Sequence, residues 1–222
     1  MLSAIGQLLP LALAVAISSV PIMATILILL SPRRRQSAVP FLIGWVLGIL
    51  VVVSLSALFA QVVPTARSPR RAETTIGTIE ILIGVALVVI AVIAWRRARR
   101  NPTDAMPKWL NAVGTFGPWA AFGVAFALNV RPKGLLLAVA AGLVIRAEDL
   151  SLTESAVAIL IYTVIGCSTV AIPIIVTLAN PERMEPRLLS AKEWIGRNSG
   201  VVTALILILI GAVIIGTGVG RL

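Results

Sequence analysis

The chain has 222 residues, of which 59% belong to the hydrophobic set and 13% carry a charge, and its mean hydropathy is +1.03. So few charges cannot cover a water-soluble domain with this much apolar surface, and the composition points to a membrane protein whose outside is covered by lipid. A net charge of +10 would suggest nucleic acid in a soluble protein, but here the basic residues stand at the ends of apolar runs; with no histidine and one cysteine, a disulfide framework, a CxxC pair, a His-bearing zinc site and a Ser-His-Asp triad are excluded.

Six runs approach the roughly 20 apolar residues needed to cross a bilayer as a helix: 5–30, 38–62, 76–95, 117–143, 154–178 and 200–219. Their apolar residues are continuous rather than alternating, so they read as helices and not as barrel strands. Met1 to Leu9 carries no basic side chain to make a signal-peptide n-region, and the first run is expected to stay in the mature protein. Inside that run Pro21 removes a backbone donor and breaks or kinks the helix, with Ser18 and Ser19 beside it to satisfy freed backbone groups. Arg33, Arg34 and Arg35 follow. In the second run Gly44 and Gly48 form a GxxxG that lets helices approach closely, either within one chain or across a homodimer.

The third run holds Glu80, the only carboxylate well inside an apolar segment. Three readings stay open for it: a substrate or proton site, an ion-pair partner for a buried cation, or a headgroup contact made by snorkelling. Arg96, Arg97, Arg99 and Arg100 close this run. In the fourth run Asn129, Arg131, Pro132 and Lys133 interrupt otherwise apolar text. A basic residue at mid-membrane costs at least about 2.5–3.5 kcal/mol, so two of them require a cavity, a partner or a ligand. Their sign predicts an anion, with Arg131 as a bidentate partner, Lys133 as a point charge and freed N–H groups of the broken helix beside them. Cys167 in the fifth run reads as a small packing residue. Beyond that run, Arg187 to Arg197 mixes apolar and charged residues, as either an interfacial helix or a solvated connector would. The terminal Gly216-Thr217-Gly218-Val219-Gly220 lacks a preceding strand and is not a nucleotide loop.

Loops one, three and five hold 12 Lys and Arg against 5 on the other side, which predicts that these loops face the cytoplasm and both termini lie outside. Placing Pro21 over Pro132, an offset of 111, superimposes two three-helix halves, residues 1–111 and 112–222. An odd number of helices per half inverts the second copy, the arrangement of many secondary transporters. The expected fold is therefore an all-α polytopic membrane protein: six transmembrane helices in two inverted three-helix repeats, the first and fourth helices broken.

Asn129-Val130-Arg131-Pro132-Lys133 resembles an expanded Asn-Pro-Lys signature of the LysE-type exporter superfamily, and Ser19-Val20-Pro21 occupies the place of its first-helix proline motif. Across its length the chain more closely resembles the actinobacterial GAP family of glycopeptidolipid- and sulfolipid-addressing proteins. The resemblance implies six helices in two inverted triplets and a role in carrying lipid-linked glycans or glycolipids toward the cell envelope, often beside a larger lipid exporter. Val130 and Arg131 depart from a contiguous Asn-Pro-Lys, which argues against copying the amino-acid exporters' substrate contacts and favours a bulkier or more strongly anionic headgroup.

The expected function is a transporter or flippase-like protein for an anionic lipid or glycolipid in a bacterial cytoplasmic membrane. It needs no cofactor, metal or nucleic acid. No enzyme site is visible, and no Walker motif is present to power it. An exporter of small amino acids or metabolites, or a non-transporting scaffold for a larger lipid exporter, are the alternatives.

Overall fold

A computed structural model of the chain describes residues 1–61, 78, 81–82, 84–86, 88–93, 95–96, 108–148 and 150–219. Among the described residues the elements are helices: α1 Leu2–Ala16, α2 Ser19–Leu29, α3 Arg34–Ala60, α4 Gly84–Ile93, a 3₁₀ helix Lys108–Thr115, α5 Pro118–Asn129, α6 Pro132–Ala147, α7 Leu152–Ala179 and α8 Pro181–Val219. Glu80, Arg97, Arg99 and Arg100 lie outside the described residues, and so do the readings placed on them.

Among the described residues two helices are long and apolar enough to cross a membrane unaided. The 27 residues of α3 and the 28 of α7 each rise about 40 Å, more than the roughly 30 Å of hydrocarbon in a bilayer. In α3 the inward face carries Phe41, Trp45, Ile49 and Val52, while Val39, Ile43, Leu47 and Leu50 point outward. On α7 Leu160, Val164, Ile172 and Ile175 are likewise left exposed. A helix apolar on both faces has no favourable solvation in water, and this surface belongs in lipid. At the head of α7 a capping box fixes the start: Ser151 Oγ accepts from Glu154 N–H, and the Glu154 carboxylate accepts from Ser151 N–H at 3.0 Å.

Three further helix pairs are long and apolar enough only if taken together: α1 with α2, bent by 48°; α5 with α6, bent by 59°; and the two arms of α8, Pro181–Asn198 and Gly200–Gly216, bent by 70°. If each bent pair is one span, the described residues cross the membrane up to five times.

Five hydrogen bonds at three levels set the relation between the first two bent pairs. Ser3 Oγ and Gln7 Nε2 both donate to Glu148 Oε1, at 2.8 and 2.9 Å. Lys133 Nζ donates to Ser18 Oγ at 3.5 Å. Arg33 donates to the Thr115 carbonyl at 3.2 Å, and Ser37 Oγ to that of Phe116 at 2.8 Å. Moving forward from Ser3 through Ser18 to Arg33 therefore moves backward from Glu148 through Lys133 to Thr115. The two pairs run antiparallel, over the same distance, with their breaks at the same level.

Close backbone approach along α3 holds α5 and α6 in that register. A Cβ on Gly44 would overlap the Phe122 carbonyl, one on Gly48 the Asn129 amide, and one on Gly142 would stand 2.6 Å from the Ser56 carbonyl carbon. The GxxxG of the second run thus packs helices inside this chain. A similar approach joins α4 to the second arm of α8, where a Cβ on Gly211 would come 2.9 Å from the Gly84 carbonyl.

Candidate functional site

The first break leaves the last carbonyls of α1 without intrahelical donors, because the chain turns at Ile17 and Ser18 before α2 begins at Ser19. Within the break, Ile17 N–H reaches the Leu13 carbonyl at 2.8 Å and Ser18 N–H that of Val15 at 3.2 Å. The buried Ala16 carbonyl is taken instead by the hydroxyl of Thr169, from the middle of α7. Sequence reasoning assigned backbone satisfaction to Ser18 and Ser19 and missed Thr169; nothing near the break in sequence signals a residue 153 positions away.

Pro21 does not mark the break. It stands third in α2, in the first turn where a missing N–H is tolerated, and is buried. Pro132, by contrast, is the first residue of α6, with its ring preset for a helix start. The first helices of the two pairs end at Ala16 and Asn129, so the breaks correspond at an offset of 113 rather than 111.

At the second break Asn129 is buried, and its amide donates to the Ala125 carbonyl at 3.1 Å and, across to α3, to that of Trp45 at 3.4 Å. Gly48 provides the space for this amide. Asn129 therefore ties the end of α5 to α3 rather than filling the carbonyls freed at the break. The Trp45 indole N–H is buried without an acceptor among the described residues, a donor that sequence reasoning did not single out.

Arg131 is the extended residue ahead of α6, exposed, and without a hydrogen-bond or ion-pair partner among the described residues. Lys133 is half-buried, and its 3.5 Å bond to Ser18 is long enough to hold it only weakly. Since Pro132 has no N–H and Leu135 N–H already bonds the Arg131 carbonyl, the N–H groups of Lys133 and Gly134 head α6 as its open donors. The structure thus brings Ser18, Arg131, Pro132 and Lys133 to one level, with Asn129 behind them. Ser19 adds no side-chain hydrogen bond among the described residues, and Pro21 sits a turn away.

Chemically, this is two cations and a helix N-terminus with no acid beside them among the described residues: a place where an anionic group gains charge-assisted hydrogen bonds. Among the described residues no cluster of acids, histidines or cysteines suits a metal.

A family model described as "Sap, sulfolipid-1-addressing protein" matches residues 8–220. No curated protein and no solved structure matches the chain.

Proposed function

The chain belongs to the sulfolipid-1-addressing protein family, and from that premise we propose that it is a transporter or flippase-like protein that moves an anionic lipid or glycolipid toward the outer face of the cytoplasmic membrane. Membership links this membrane protein to lipid export or addressing. A sulfolipid joins an apolar body to a sulfate ester, and a sulfate is the partner that an unpaired guanidinium, an ammonium and open N–H groups take best. One observation carries the reading: Lys133 at the second break reaches Ser18 at the first, so the cations stand where both bent pairs are interrupted.

The antiparallel course of those pairs, each followed by a straight helix, supports six spans in two inverted halves, 1–111 and 112–222, related to the LysE-type exporters. In this reading both termini are outside, Glu80 is the residue available for proton coupling, the chain is no enzyme, and a larger lipid exporter is the natural partner.

The test is a vesicle assay with full-length protein and a fluorophore-tagged anionic lipid, scored by how much label a membrane-impermeant reductant reaches. The wild type should expose inner-leaflet label. Arg131→Gln/Lys133→Gln should slow this about tenfold or more, since each charge-assisted bond contributes roughly 1.5–3 kcal/mol. An unaltered rate in the double variant overturns the site. Amino-acid flux without lipid movement overturns the substrate class, and absence of either movement leaves the scaffold reading.

A further inference from the structure

The first arm of α8, Pro181–Asn198, meets the second at a 70° bend where Asn198 leaves helical geometry at φ −116° and ψ 18°. The second arm, Gly200–Gly216, carries the apolar text of the sixth run, and the first arm lies steeply across its direction. It sits at the end of the bundle that carries the triple arginine, because Glu185 pairs with Arg34 at 3.7 Å.

Along this arm Met184, Leu188, Ala191 and Ile195 recur at helical spacing and turn inward, with Leu188 and Ile195 buried. A second series at the same spacing, Arg183, Arg187, Ser190, Trp194 and Arg197, is exposed throughout. The acids Glu182, Glu185 and Glu193 fall off this stripe, and two of them are already engaged: Glu185 with Arg34, Glu193 with Arg197 at 3.7 Å. Arg183 and Arg187 have no ion-pair partner among the described residues, and the Trp194 ring is 53% exposed between them and Arg197.

A connector that faces only water gains nothing from an outward indole. Guanidinium groups and a tryptophan on one stripe match the headgroup layer, where phosphates are anionic and the indole spans the polar and apolar sides. We propose that the stripe of Arg183, Arg187 and Trp194 docks on anionic phospholipid headgroups of the bilayer in which the chain sits, making Pro181–Asn198 an interfacial helix that fixes this end of the bundle to the membrane surface. The occupant follows from charge complementarity: the stripe is cationic, this end holds the arginine-rich loop, and the cytoplasmic leaflet carries the negative surface potential.

Full-length protein with Cys167→Ser and Ser190→Cys, labelled at the new thiol with an environment-sensitive dye, tests this in nanodiscs of phosphatidylcholine with or without phosphatidylglycerol. Expected is a blue shift and quenching by headgroup-tethered quencher that require phosphatidylglycerol and weaken with salt. Arg183→Gln/Arg187→Gln should weaken the response about fivefold per arginine, while Arg183→Lys/Arg187→Lys retains it, which separates lost charge from lost folding. A dye equally exposed in both nanodiscs overturns the proposal. So does equal protection in both, which means apolar insertion alone, and so does protection that appears only when an acidic protein is added.

Discussion

Replacing Gly142 by alanine should destabilise the protein, while the same change at Gly123 should stabilise it. The difference follows from what an added Cβ meets. At Gly142 it would lie 2.6 Å from the Ser56 carbonyl carbon, 2.7 Å from its oxygen and 2.8 Å from Ala57 N. All three are backbone atoms of α3, which cannot retreat without disturbing the approaches at Gly44 and Gly48. At Gly123 nothing lies within 4 Å. Alanine gains about 1 kcal/mol over glycine inside a helix, and a forced overlap in a packed seam costs about 1–3 kcal/mol. Gly123→Ala should therefore gain up to about 1 kcal/mol and Gly142→Ala should lose up to about 2. At this chain length each kcal/mol moves Tm by roughly 2–4 °C. Thermal unfolding in detergent, followed by tryptophan fluorescence, reads both signs. A stabilised Gly142→Ala, or two shifts in the same direction, would refute the α3–α6 seam.

Thr169→Val keeps the shape of the side chain but leaves the buried Ala16 carbonyl without a donor, which should cost about 1–3 kcal/mol; Thr169→Ser should recover most of the loss in the same unfolding assay. Asn129→Ala removes the bond to the Trp45 carbonyl and should lower both Tm and lipid movement, whereas wild-type movement would show that the end of α5 is held by the seam alone. Glu148→Ala strips Ser3 and Gln7 of their shared acceptor, so a thiol introduced as Ser3→Cys should react faster with a water-soluble reagent in that background; an unchanged rate would mean the contact does not hold α1 to α6.

What could be read from the sequence is what depends on local chemistry. Runs of apolar residues announce the spans of α3 and α7, and Pro132 flanked by Arg131 and Lys133 announces an interruption because no continuous lipid-facing helix tolerates that text. Pro21 is a poorer marker: proline is tolerated in a first turn, so the chain breaks at Ile17 and Ser18 instead, and the two breaks stand at an offset two residues from that of the prolines. Thr169 and Trp45 were invisible for a different reason. Thr169 acts through a carbonyl on another helix and Trp45 is buried by its neighbours, and which helices become neighbours is decided by glycine contacts such as Gly48 with Asn129, whose partners the GxxxG text does not name. Of the third run, 76–95, the described residues hold the apolar helix Gly84–Ile93.

The distribution of satisfied and unsatisfied groups along the two antiparallel bent pairs bears on how a substrate would act. One end is held by two bonds to Glu148, the other by Arg33 and Ser37 on backbone carbonyls and by Arg34 with Glu185. The bonds to Glu148 and from Arg33 involve a charged group and contribute up to about 1.5–3 kcal/mol each, the Ser37 bond about 1, and the exposed ion pair less. Between the ends, among the described residues, Arg131 is unpaired and Lys133 has one long bond. An anion at that level would form charge-assisted bonds of about 1.5–3 kcal/mol each, comparable to the hydrogen bonds closing either end. A ligand can shift an equilibrium only by its difference in affinity for the two states. On the proposed reading, an anionic headgroup that contacts Arg131 better when one end has parted supplies enough to part it. A neutral lipid of the same apolar body supplies nothing there, so the headgroup's charge should set the rate of movement more strongly than the length of its chains.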